Sequence, residues 1–176
     1  MHIRSVKVSQ DTILISYDQA NQNNRGETDV ITIKTQDEPR KEFHTALQAL
    51  KPHLLEILEL PTGYGSGLKI TSVSLATKAD VTSAIIKGKK VLQNSNTPFN
   101  IITPLKPMNA GEESAGDNLL TDECRDAINE MIAEAKLFVK GERAQGLLAL
   151  GNDEDEEEAE EEGEEEEPVG ADEETE

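Results

Sequence analysis

Lys87, Lys89 and Lys90, with Lys78 nearby, form the densest basic cluster in the chain. Ammonium groups at that density neutralise phosphates and release counterions, so binding through them is electrostatic and salt-dependent. On a β-strand, Lys87 and Lys89 fall on one face. Arg4, Lys7 and Lys34 belong to other predicted strands. A sheet surface carrying Arg4, Lys7, Lys34, Lys87, Lys89 and Lys90 would follow the backbone of single-stranded DNA. The same residues also read as a solvated lysine face with no ligand. Sequence-tolerant single-strand binding adds aromatic stacking, and this chain has only three Phe, two Tyr and no Trp.

The opposite charge sits at the other end. From Asp153 to Glu176 there are 17 carboxylates and no Lys or Arg, so nearly all of the net charge of −19 lies there. The candidate interaction residues of this tail are Asp153, Glu154, Asp155, Glu156, Glu157, Glu158, Glu160, Glu161, Glu162, Glu164, Glu165, Glu166 and Glu167. A segment with so little apolar mass and such self-repulsion builds no core, and disorder is expected from residue 152 onward. Three uses suit it: keeping the protein soluble, binding a basic partner protein, or folding back over the basic sheet as a competitor of nucleic acid. Before the tail the charge is graded, with residues 1–110 net positive and 111–152 net negative.

Residue patterns that signal enzymes are missing. Gly63-Tyr64-Gly65-Ser66-Gly67 is glycine-rich, but a phosphate cradle needs a strand before it and a helix after it. Here the predicted order is helix, glycines, strand, which suits a turn. His2, His44 and His53 lack metal-ligand spacing, and no Cys-x-x-Cys exists. Gly-x-Ser-x-Gly is absent as well. The acidic runs lack the fixed oxygen geometry of a calcium loop. The expectation is no catalytic residue, no cofactor and no metal. Cys124 stands alone, which excludes an internal disulfide and suits a reducing interior. Its place on a predicted helix face reads as a small packed side chain.

The elements that must position these residues follow from periodicity. Ile3–Val8 and Thr12–Tyr17 form a predicted hairpin, and Thr28–Thr35 a third strand with Val30, Thr32 and Lys34 on one face. A helix near 38–59 is predicted from Phe43, Leu47, Leu50 and Leu54, with Asp37 as cap, Pro39 in the first turn, and a break near Leu50–Lys51 imposed by Pro52. Leu68–Thr77 reads as a strand with a bulge near Ser72. Val81–Leu92 fits strand or short helix, and Gly88 favours strand. Phe99–Thr103 reads as an edge strand among prolines. Asn109–Asn118 is a polar linker. A helix over Thr121–Val139 carries Cys124, Ile128, Met131, Ala135 and Phe138 on its apolar stripe and ends at Gly141. Leu147-Leu148-Ala149-Leu150 is an apolar patch that docks on the body or serves as a binding motif.

Three segments carry a resemblance. They are Ile31-Thr32-Ile33-Lys34 with Asp37 to Leu50, then Leu92-Gln93-Asn94-Ser95-Asn96-Thr97-Pro98, and then Ala133 to Gln145. Across roughly residues 28–145 the layout resembles small, largely uncharacterised bacteriophage early-region proteins. That implies a phage origin beside replication or recombination functions, and it transfers no site residues. The acidic tail is similar in charge to those of bacterial single-stranded-DNA-binding proteins. It lacks their hydrophobic tip and finishes Ala171-Asp172-Glu173-Glu174-Thr175-Glu176.

The sequence therefore predicts an α+β domain over residues 1–151, with an antiparallel sheet of four to six strands packed with two main helices. A disordered polyacidic tail over 152–176 follows. No secretory signal and no membrane span are expected, which implies a cytoplasmic protein, in the host cytoplasm if phage-encoded. The expected function is a non-enzymatic accessory role in phage DNA replication or recombination. It would act by weak single-stranded DNA contact or by contact with a DNA-handling protein, tuned by the tail. The alternatives are a DNA-mimicking decoy for a basic protein, and a virion or assembly protein with a solubilising tail.

Overall fold

Alternation of apolar and polar residues sorts the strands into two faces. Strands β1 (His2–Ser9) and β2 (Thr12–Ala20) bury Ile3, Val6, Ile13, Ile15 and Tyr17 on one side. They leave Lys7, Leu14 and Ser16 on the other. The computed structural model describes residues 1–144 except 22–23, 25, 79, 93–94 and 110–117. The rest of the sheet is β3 (Thr28–Thr35), β4 (Leu68–Lys78), β5 (Val81–Val91), β6 (Pro98–Ile102) and the two-residue β7 (Lys106–Pro107). Its order is β3-β2-β1-β4-β5-β6, antiparallel throughout, with β7 pairing β5 beyond the end of β6. The expected hairpin, third strand, bulged fourth strand and edge strand are all present. The ambiguous Val81–Leu92 segment is a strand.

Helices cover only the apolar face. They are α1 (Lys41–Ala49), α2 (Lys51–Ile57) and α3 (Asp122–Val139). Pro52 separates the first two, as its missing donor requires, and it sits in the first turn of α2 where that donor is not needed. Phe43 of α1 meets Phe138 of α3 with ring centroids 5.6 Å apart. Leu47, Leu50, Leu54, Ile128 and Met131 complete a core closed over by the sheet. Thr121 caps α3, its hydroxyl accepting from the Cys124 N–H at 3.3 Å. Gly141 follows with φ 105°, as a helix stop of this kind requires. The described residues belong to one compact unit, Met1–Gln145. None of their helices is long and apolar enough to cross a membrane. The acidic tail, the Leu147–Leu150 patch and nearly all of the Asn109–Asn118 linker lie outside the described residues.

The start of α1 departs from expectation. Arg40, not Asp37, holds the cap position, and no side chain caps it. Asp37 instead accepts a hydrogen bond at 3.1 Å from Nε of Arg143, beyond the end of α3. That bond, with help from Thr35, holds the Asp37 carboxyl below its ordinary value. The contribution is therefore present at neutral pH and is lost as acid protonates the carboxylate. Arg40 forks onto Glu134 of α3 at 3.0 and 3.1 Å. The helix layer is thus tied together at its ends by long-range ion pairs, which local sequence patterns do not encode.

A second tie joins helix to sheet. The β4 ladder slips between Ile70 and Ser72, leaving Thr71 as the extra residue of a bulge. Gln48 of α1 closes it: its amide donates to the Ile70 carbonyl at 2.9 Å, and its oxygen accepts from the Ile70 N–H at 3.0 Å. Next to this, Gly88 of β5 lies under Leu68 and Leu54. A side chain there would meet Leu68 Cδ1 at 2.9 Å, so the glycine permits close approach of α2. Replacing Gln48 by Ala leaves both Ile70 backbone groups unpaired and is expected to cost about 1–3 kcal/mol. Urea unfolding should show a lower midpoint with an unchanged slope. An unchanged midpoint would mean that solvent satisfies Ile70 and that the clamp contributes nothing.

Candidate nucleic-acid interface

The face left bare by the helices carries the lysines. Directly opposed residues in a ladder share a face, so the register can be read straight across the sheet. Lys34 pairs with Leu14, Leu14 with Lys7, Lys7 with Ser72, Ser72 with Lys87, and Lys87 with Ile102. Three lysines therefore stand in a single row perpendicular to the strands, one on every second strand. With strands about 4.8 Å apart, successive lysines are about 10 Å apart at the backbone. None of the three forms an ion pair among the described residues.

The next row is made of hydroxyls. Thr32 pairs with Ser16, Ser16 with Ser5, and Ser5 with Ser74. The Ser16 and Thr32 hydroxyls are 2.9 Å apart and hydrogen-bonded. On the far side of the lysine row, Lys69 pairs with Lys89 and Lys89 with Asn100. Short side chains between long ones make a trough. A shallow open depression of about 370 Å³ is lined by Lys7, Lys87, Ser5, Ser72, Ser74 and Asn100. A second, of about 730 Å³, shares Ser5 and Ser74 and reaches Arg4 and Asp18.

Not every candidate belongs to this surface in the same way. Arg4 is the extra residue of a slip in β1 between Ile3 and Ser5, and its Nε holds Asp18 at 2.8 Å. Asp18 is the one carboxylate on the strand positions of this face among the described residues, and Arg4 pairs with it through Nε. Lys90 is turned to the opposite side. It pairs with buried Leu68 and donates to the Tyr64 carbonyl at 2.8 Å, with its ammonium 4.3 Å from the Tyr64 ring centre. Lys90 is thus removed from the basic face by the same period of two that puts Lys87 and Lys89 on it. Lys69 and the hydroxyl row were not singled out from the sequence. Alternation within β4 hints at Ser72 and Ser74, but only strand order sets them beside lysines.

Charge divides the unit by layer. α3 carries Asp122, Glu123, Asp126, Glu130 and Glu134 against Arg125 and Lys136, whereas the open sheet presents Lys7, Lys34, Lys69, Lys87 and Lys89. The gradient along the chain is thus realised as an acidic α3 in the helix layer and a basic sheet face. No three His, Cys, Asp or Glu converge among the described residues. The Cys124 thiol is buried, and burial, then the nearby Glu56 charge, push its pKa up to about 11. It is therefore a protonated core side chain at neutral pH and not a nucleophile.

Comparison with known proteins returns no matching family model, no matching curated protein and no matching solved structure. The two neighbouring lysines of β5 make the division of roles testable. Lys87→Met is expected to leave the melting temperature almost unchanged. Lys90→Met gives up a charged hydrogen bond and the contact with the Tyr64 ring, and should cost about 1 kcal/mol. Equal melting temperatures for the two variants would contradict the assignment of Lys90 to packing.

Proposed function

We propose that the protein is a non-enzymatic nucleic-acid-binding accessory protein, using the bare sheet face to hold a phosphate backbone and the acidic tail to weaken that hold. The observation that carries this reading is the lysine row Lys34–Lys7–Lys87, free of ion pairs among the described residues and running in register beside the hydroxyl row Thr32–Ser16–Ser5–Ser74. Phosphate contacts in nucleic-acid complexes come from these two kinds of donor. Three to five such lysines support weak, salt-sensitive binding. The resemblance to phage early-region proteins adds DNA replication or recombination in an infected cell as the setting.

The tail enters through mass action. A 17-carboxylate segment on the same chain is present at roughly millimolar effective concentration for any site it can reach. Single-stranded DNA at ordinary concentrations must displace it. A second reading draws on the same carboxylates: 17 in 24 residues match the charge of a nucleic acid and suit a basic DNA-handling protein as partner.

Fluorescence anisotropy on a labelled single-stranded oligonucleotide, with the full chain and a 1–151 truncation, tests this. Truncation is expected to tighten binding about tenfold or more at low salt, and physiological salt to weaken it in both forms. Absence of binding by either form at low salt would overturn the reading and leave the lysines as a solvated surface. A basic partner held by the full chain and lost on truncation would favour the second.

A further inference from the structure

The five aromatic side chains settle how the sheet face can hold a strand. Tyr17, Phe43 and Phe138 are buried in the core. Tyr64 is engaged by Lys90. Phe99 is 45% exposed but pairs with Lys90, which places it on the helix side of the sheet at the β6 edge. No Phe or Tyr ring therefore stands on the basic face; the His2 imidazole, paired with Asp18 at the end of β1, is the one ring there among the described residues, so base stacking, the usual means of gripping a single strand without reading it, has no extended platform.

Base-edge readout has few instruments as well. Bidentate recognition of guanine needs a free guanidinium, and recognition of adenine a carboxamide. Arg4 is the one arginine on this face among the described residues, and its half-exposed side chain is paired through Nε with Asp18 at 2.8 Å. Asn100 is the one carboxamide on the strand positions of this face among the described residues, and it sits beside Lys89 on the edge strand. Beside Leu14, Val30, Ile85 and Ile102, the face offers ammonium and hydroxyl groups, both phosphate donors, laid across four strand spacings of about 19 Å in all.

Resting on the function proposed above, we infer that the site recognises the sugar–phosphate backbone and not the bases. The strand lies across the β-strands along the Lys34–Lys7–Lys87 row. Hydroxyls of the neighbouring row supply the additional donors. Its ligand is a phosphodiester polyanion of any sequence.

The test compares a labelled single-stranded 20-mer with an abasic strand of the same length and charge, on the full chain and on the 1–151 form at low salt. The tail is common to both arms of each comparison and cancels in the ratio. The inference expects dissociation constants within about threefold of each other, with both strands weakened alike by Lys7→Gln/Lys34→Gln/Lys87→Gln. A stacked base is worth roughly 5- to 150-fold in affinity. A base-containing strand that binds more than tenfold tighter than the abasic one would overturn the inference while leaving the proposed function standing. If neither strand binds either form, both the function and this inference fall.

Discussion

Two hydrogen bonds between the Gln48 side chain and the backbone of Ile70 join the helix layer to the sheet register and so to the basic face. β4 must bury Ile70 and Val73, three positions apart, on the same side. Strict alternation forbids that, and the bulge at Thr71 resolves it by inserting one residue. The inserted residue breaks the ladder, and the Gln48 side chain replaces the missing partners. Downstream of the bulge Ser72 lies on the open face, buried between Lys7 and Lys87. Without the bulge, Ser72 would point into the core and the row would be interrupted at its centre.

The join between the two halves of the sheet is correspondingly narrow. β1 meets β4 through Ser5, Val6 and Lys7 opposite Ser74, Val73 and Ser72. A slip of one residue in that seam turns every side chain of one half to the wrong face. Val6 and Val73, both buried, oppose such a slip. So the pairing that protects the core also aligns Lys7 with lysines from β3 and β5. Core packing and surface charge are set by one register, with the acidic α3 kept to the other layer.

Much of this was legible from local pattern. Alternation in Ile3–Val8, Thr12–Tyr17 and Thr28–Thr35 found the strands, and the spacing of Phe43, Leu47, Leu50 and Leu54 found the helices and their break at Pro52. Ser72, out of phase, marked the bulge. What local pattern could not show was anything that depends on which strands are neighbours. Lys69 and the hydroxyls of Ser5, Ser16, Thr32 and Ser74 gain meaning only from the order β3-β2-β1-β4-β5-β6. Asp37 looked like a cap because its natural competitor, Arg143, lies 106 residues away. Lys90 was grouped with its neighbours by density, although a period of two already turned it inward.

The proposed function requires charge to act by its place on the sheet and not by its sum. The direct measurement is the salt dependence of single-stranded oligonucleotide binding by the 1–151 form, comparing Lys7→Gln/Lys34→Gln/Lys87→Gln with Lys41→Gln/Lys136→Gln/Lys140→Gln. Both triple variants lose the same charge, but the second set lies on the helix layer. Each lost phosphate contact flattens the logarithmic salt slope by about 0.7 for a single strand. The account predicts a slope lower by about 2 for the sheet variant and an unchanged slope for the helix variant. Equal slopes in the two variants would contradict it.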